Sequence, residues 1–365
     1  MEILHNPLFI FFLIVLYLVI LLVLKGGRSW PYSIPKTQRR VGIILILIFC
    51  LFAVHDTDYF HYMDSLRYMS IGYESHLEPV YNSIADFLNY NYLLFRFVVW
   101  GGALAILVLT IRRLDMPVEL VLAIFALMAI TRFSYARASL AMAVAFYGYS
   151  FLIRPSKHRV LSYVWGVIIL STAYFFHNSA VFLVPVILVS LFRLNGFTIG
   201  ILVLIYPILV YLMNNYALQY ILAGEEELEL LNKAQLYITA DATQSGIANV
   251  IRRVLMASPY YLLMISIIGD IMRKRSRDIE ASEQKIMNVT FFIVYFASLF
   301  LFTSAFNTTI IYYRFLYYAM IPASMTLAIY KWYKINARIY SSILMIAIFA
   351  CIYEMLYSLY ISVVA

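Results

Sequence analysis

The sequence predicts an all-α polytopic membrane protein of about twelve transmembrane helices, with the N- and C-termini on the outer side. Three observations carry that expectation. Hydrophobic residues make up 64% of the 365 and charged residues only 13%, with a mean hydropathy of +0.85; a soluble domain cannot cover its outside with so few charges. The apolar residues gather in runs close to the roughly 20 residues that one helical crossing needs. The basic residues then sort to alternate sides once those runs are counted.

Within a single transmembrane domain spanning residues 1–365, the runs fall at about 8–24, 41–54, 92–111, 117–131, 138–153, 160–176, 179–192, 197–214, 254–272, 287–304, 309–330 and 339–361. The first is followed by Lys25, Arg28, Lys36, Arg39 and Arg40, where a signal peptide would carry a small-residue cleavage site, so it reads as a retained span that starts outside. On the same side as those five fall Arg112, Arg113, Arg154, Lys157, Arg159 and Arg193. They are joined by Arg273, Lys274, Arg275, Arg277, Lys285, Lys331, Lys334 and Arg338. Basic residues collect on cytoplasmic loops, so this side is the cytoplasm. Two longer segments, about 55–91 and 215–253, become outer loops.

Topology also accounts for the net charge of +8, so no nucleic-acid partner is implied. Cys50 and Cys351 each sit inside an apolar run and suggest neither a disulfide framework nor a thiolate metal site. No phosphate-cradling glycine loop and no Cys/His cluster occurs. The sequence therefore calls for no metal and no cofactor.

The basic residues left over are Arg67, Arg96, Arg132, Arg137, Lys233, Arg252, Arg253 and Arg314, all assigned to the outer half. A guanidinium at membrane depth costs a few kcal/mol, so one that persists either snorkels to an interface or faces a polar cavity. Arg132 and Arg137 flank the outer turn between the fourth and fifth spans. With Arg252, Arg253, Arg314 and His177 at comparable depth on other spans, a bundle can gather them around one pocket. His177 sits at the apex of the 160–192 hairpin, where an imidazole can deprotonate a hydroxyl or hydrogen-bond a phosphate. Arg314 is flanked by tyrosines that form either an interfacial aromatic belt or the wall of a site. Asp64 and Glu78 stand beside Tyr68 and Tyr81 in the first outer loop. Carboxylates that accept hydroxyl hydrogen bonds and ring faces that cover a pyranose suit a sugar, although acidity there also follows from exclusion of positive charge.

Asp64, Tyr68 and Glu78-Pro-Val-Tyr81, then Tyr135-Ala-Arg137-Ala-Ser-Leu-Ala141, Phe176-His-Asn-Ser-Ala180 and Tyr313-Arg-Phe-Leu-Tyr-Tyr318 together resemble the EpsG-type proteins, a branch of the Wzy-like polysaccharide polymerases. The resemblance runs from about residue 40 to 330. One departure is Ala138, where the family often carries Gln. The resemblance implies a metal-independent glycosyltransferase of the plasma membrane that makes O-antigen, capsule or exopolysaccharide on the outer face. Its donor is a glycan on undecaprenyl pyrophosphate and its acceptor a lipid-linked repeat unit. Membrane lipids surround it and a chain-length regulator protein is a candidate partner. In that frame His177, Asp64 and Glu78 compete for the base, and Arg137 and Arg314 hold the pyrophosphate with Arg132, Arg252 and Arg253 as auxiliaries. Tyr68, Tyr81, Tyr313 and Tyr317 line the sugar. The competing readings are a flippase or transporter for lipid-linked oligosaccharide, an O-antigen ligase-type enzyme, and a membrane acyltransferase. The transporter reading is weakened by the lack of internal repeats and by polar residues that cluster at one face.

Overall fold

The computed structural model describes residues 57–73, 77–129, 136–177, 180, 183–192, 194–212, 215, 247–273, 279–299, 316–333 and 337–364. Backbone alone is described at several helix ends, including 57–61, 136–137 and 247–253. Every regular element among these residues is helical. In chain order they are α1 Thr57–Ser70, α2 Pro79–Phe87, α3 Tyr92–Arg113, α4 Val118–Ala129, α5 Ala136–Ile153 and α6 Arg159–Phe176. They continue with α7 Leu183–Ser190, α8 Gly196–Leu212, α9 Ile247–Met272, α10 Ala281–Leu299, α11 Met320–Trp332 and α12 Ala337–Val364.

Three segments are long and apolar enough to cross a membrane: α3, α6 and Val254–Met272 of α9. This is a membrane protein. The apolar segments Ala138–Ile153, Gly196–Leu212 and Arg338–Ala350 are shorter. The first two expected spans lie outside the described residues. Of the expected seventh span, 179–192, the described residues hold the eight-residue helix α7. Within the segment expected as an outer loop, about 55–91, lie two short helices, α1 and α2. Neither has an apolar run long enough to signal a helix by hydropathy, yet Pro79 opens α2 at a position where its missing N–H costs nothing.

The described residues fall into two compact units. The first holds α1 to α6 and residues from Cys351 onward; the second runs from Pro185 to Ala350. In the first unit α3 begins with an Asn91 cap, whose Oδ1 accepts the Leu94 N–H at 3.1 Å. One face of α3, with Phe95, Arg96, Val99, Trp100, Ala103, Leu104 and Leu107, is buried, while Leu94, Phe97 and Val98 stay exposed. The buried face packs on α5. A Cβ on Gly102 would stand 3.9 Å from Leu140. Farther along, Arg113 donates to the Arg154 carbonyl at 3.1 Å and lies 3.5 Å over the Phe151 ring. The two helices therefore run parallel.

α6 returns antiparallel against α5 at a crossing made of small residues. The buried face of α6 is Ser162, Gly166, Leu170 and Ala173. A Cβ added to Gly148 would meet the Leu170 nitrogen at 2.6 Å and the Gly166 carbonyl oxygen at 2.8 Å. Two backbones approach this closely only where side chains are missing, which is how helices associate in a bilayer without a hydrophobic force between them.

The second unit is tied by hydrogen bonds between helices. Tyr206 on α8 donates to the Ser298 carbonyl at 2.8 Å, and Tyr295 on α10 returns a bond to the Leu202 carbonyl at 2.7 Å. Thr290 and Thr326 share a 2.9 Å bond between α10 and α11. Asn288 donates to the Phe192 carbonyl at 3.1 Å. Each buried hydroxyl or amide in an apolar surround needs such a partner, because nothing else there can satisfy it.

Candidate functional site

The site is built where α6 ends and α2 begins. His177 leaves α6 in an extended conformation, φ −164° and ψ 124°, with its N–H donating to Ala173 O at 3.2 Å and its carbonyl accepting the Ala180 N–H at 2.9 Å. Those bonds fix the turn without using the imidazole. Glu78 precedes Pro79 as the N-cap of α2. A carboxylate there would ordinarily accept a backbone N–H of the first turn, yet the Glu78 side chain makes no capping bond. Its main-chain carbonyl takes the Tyr81 and Asn82 N–H groups at 2.8 and 3.3 Å. The carboxylate turns instead to His177, with Oε1 at 3.2 Å from Nδ1. Both side chains are largely buried, at 15% and 10% exposure. A carboxylate this close to one ring nitrogen fixes the ring's orientation.

Helix register places two arginines at the same level. Gly148 beside Gly166 and Leu170 sets the antiparallel pairing of α5 with α6, and carried back to the start of α5 it brings Arg137 opposite His177. Gly102 beside Leu140, with Arg113 beside Phe151 and Arg154, sets the parallel pairing of α3 with α5. Carried back, it brings Arg96 to Val99 beside that same first turn of α5. The Arg137 side chain lies outside the described residues; its backbone is in the opening turn of α5. Arg96 is 4% exposed. On the other side of Arg96's turn, Phe95 meets Tyr81 edge to face, with centroids 6.1 Å apart. The opposite end of the unit is arginine-rich and satisfied differently: Arg154 pairs with Asp115 at 2.5 Å, and Arg113 is held by Arg154 and Phe151.

The expected site residues separate accordingly. The structure joins His177 and Glu78 directly and sets the turn of Arg137 at their level. Register carried along α3 sets Arg96, a residue counted among the outer basic exceptions but given no role by sequence reasoning, at a comparable height. The signal was a charge four residues into an apolar helix, and what was missing was which face of that helix is covered. Asp64 and Tyr68 are exposed on α1, Tyr68 at 57%, with its ring edge-on to Tyr73. Tyr81, expected as a sugar-stacking ring, is 0% exposed and packed on Phe95; its face is spent on the core. Tyr317 is buried at 3% in the second unit. Arg252 and Arg253 lie in the early turns of α9, their side chains outside the described residues. Arg132, Tyr313 and Arg314 fall outside the described residues altogether.

One further polar pair beside the site is structural. Tyr90 donates to Asp86 Oδ1 at 3.0 Å, and that bond to an anionic acceptor raises the phenol above its ordinary range. It braces the turn between α2 and α3, in which Asn89 and Tyr90 adopt positive φ of 50° and 56°.

No curated protein and no solved structure matches the chain. The family model that describes the EpsG family does match, over residues 39–364. It takes in α1 to α12 with the Glu78–His177 pair and both arginines at its level. The chain therefore belongs to the EpsG family, a Wzy-like polymerase family with a polysaccharide polymerase-type function.

Proposed function

We propose that the protein extends a polysaccharide on the outer face of the bacterial plasma membrane. It moves a growing glycan from a polyprenyl pyrophosphate to a lipid-linked repeat unit, without nucleotide sugar or metal. The observation that supports this best is the Glu78–His177 contact with Arg96 and the opening turn of Arg137 at one level of the first unit. A carboxylate-oriented base beside fixed cations is what such a transfer uses.

The acceptor hydroxyl oxygen bonds to the anomeric carbon as the bond from that carbon to the pyrophosphate oxygen breaks, and the electron pair leaves with the polyprenyl pyrophosphate. The hydroxyl proton goes to His177. With Nδ1 turned to Glu78, Nε2 takes that proton, and Glu78 stabilises the imidazolium that forms. Guanidinium groups of Arg137 and Arg96 meet the negative charge that grows on the leaving group. Fixed charges already in place need no reorganisation when the bond breaks. Asp64 and Tyr68, exposed on α1, are placed to meet the glycan rather than the reacting atoms. Arg132 remains an auxiliary for the pyrophosphate.

A strain lacking the chain tests the reading against a transporter. As a polymerase, its loss leaves single-repeat lipid accumulating on the outer face, open to oxidation by periodate added to intact spheroplasts. As a transporter, its loss leaves the same lipid protected until the membrane is opened.

A further inference from the structure

The side of α2 away from the core carries a feature the proposed chemistry does not use. Val80, Ser83, Ile84, Phe87 and Leu88 of the α2 segment, with Val98 of α3, line a groove of about 380 Å³. Its one polar side chain is already committed, since the Ser83 hydroxyl donates to the Pro79 carbonyl at 3.1 Å. The wall thus offers a ligand hydrocarbon contact and nothing else. Phe87 stands 85% exposed at the rim, and Val98 shares its exposed face of α3 with Leu94 and Phe97. α3 is apolar and long enough to cross a membrane, and an exposed apolar face on such a helix suits contact with lipid chains.

Position selects among hydrocarbons. α2 has nine residues, too few to cross. Its N-cap is Glu78, and Val80 is two residues on. At about 1.5 Å of rise per residue, the near lip of the groove begins within roughly one helical turn of the pair. A lipid whose head is held at Glu78–His177 starts its chain there. A bulk phospholipid is held by nothing at that end.

We propose that this groove binds the first part of the polyprenyl chain of the lipid-linked substrate, aligning the pyrophosphate with the polar pair. The inference rests on the polymerase reading. It makes Ser83 and Val98 determinants of lipid specificity without a part in the chemistry.

The test uses the full chain in nanodiscs with one repeat unit carried on pyrophosphates of two tails, a long polyprenyl chain and a ten-carbon geranyl chain. The wild type has a KM for the long tail at least about tenfold lower, the value of burying a few methylene groups. Ser83→Trp and Val98→Trp raise the long-tail KM to the geranyl value and leave geranyl kinetics unchanged. Wild-type kinetics on both tails, or an equal loss on both, overturns the proposal. A second arm needs no turnover: a diazirine-bearing polyprenyl pyrophosphate labels residues 79–98. Unlabelled polyprenyl pyrophosphate competes with it and phosphatidylglycerol does not. Equal competition by both means bulk lipid only and sinks the groove. If wild-type protein polymerises neither substrate, the polymerase reading fails, and the labelling result alone decides whether the groove selects this chain.

Discussion

Replacing Gly148 by alanine adds one methyl group at a crossing with no room for it. The new Cβ would stand 2.6 Å from the Leu170 nitrogen, 2.8 Å from the Gly166 oxygen and 3.0 Å from the Leu170 Cα. All three are backbone atoms, which cannot swing aside. Restoring an ordinary contact of about 3.4 Å asks α5 and α6 to part by about 0.8 Å, and a gap of that size forfeits roughly a quarter to a half of each facing dispersion contact. Together with overpacking strain, the expected cost is about 2–3 kcal/mol. The assay is unfolding of detergent-solubilised protein, read as folded fraction by size exclusion after a temperature series. Two controls sit in the same unit. Gly101 has nothing within 4 Å of an added Cβ, so Gly101→Ala is neutral or stabilising by about 0.5–1 kcal/mol from helix propensity. Gly166→Ala falls between, because its nearest obstacle at 2.6 Å is the Leu152 Cδ2, the end of a flexible side chain. The same parting moves His177 away from the first turn of α5, so Gly148→Ala also lowers chain extension per folded molecule. Gly148→Ala as stable as Gly101→Ala would refute the close crossing and the register drawn from it.

The remaining expectations concern the two ends of the first unit and the sequence-assigned Arg314. His177→Gln keeps hydrogen bonding but not proton transfer and slows extension by about 100-fold or more; Glu78→Gln slows it too, with the protein inserted and abundant, and full turnover in His177→Gln would remove His177 as the base. Arg137→Ala and Arg314→Ala each abolish polymer while leaving membrane abundance unchanged by immunoblot, and lysine restores only part because an ammonium cannot grip bidentately; normal polymer from both would end the arginine clamp. Arg96→Lys keeps charge and fold and lowers the initial rate at least about tenfold for the same reason, and an unchanged rate would make Arg96 purely structural. Arg113→Met loses the bond to Arg154 and the stack on Phe151, destabilising by about 1–2 kcal/mol. It leaves the rate per folded molecule alone, and a rate loss there would contradict the separation of the two ends.

The long apolar helices were legible because length and hydropathy are local properties. Residues 92–111, 138–153 and 160–176 were expected, and α3, α5 and α6 cover them with one or two residues added. α1 and α2 were not legible, since a short helix of mixed polarity is stabilised by what it packs on and not by its own pattern. His177 and Glu78 could be named from the sequence, but their contact could not. Nearly a hundred residues separate them, and the contact depends on α2 folding back on α6. Tyr81 and Arg96 show the limit most clearly. A tyrosine in an acidic loop reads as a sugar platform, and an arginine near a span end reads as snorkelling, until burial shows the first in the core and the second within it.

The most direct test of polymerase action is a reaction of purified protein with a lipid-linked repeat unit extracted from the same strain. Nucleotide sugars are omitted, chelator is present, and products are resolved on a gel. The account predicts a ladder of glycans growing by one repeat per step, absent with His177→Gln. Folded protein that yields no ladder while moving labelled lipid between liposome leaflets would contradict it and identify a transporter.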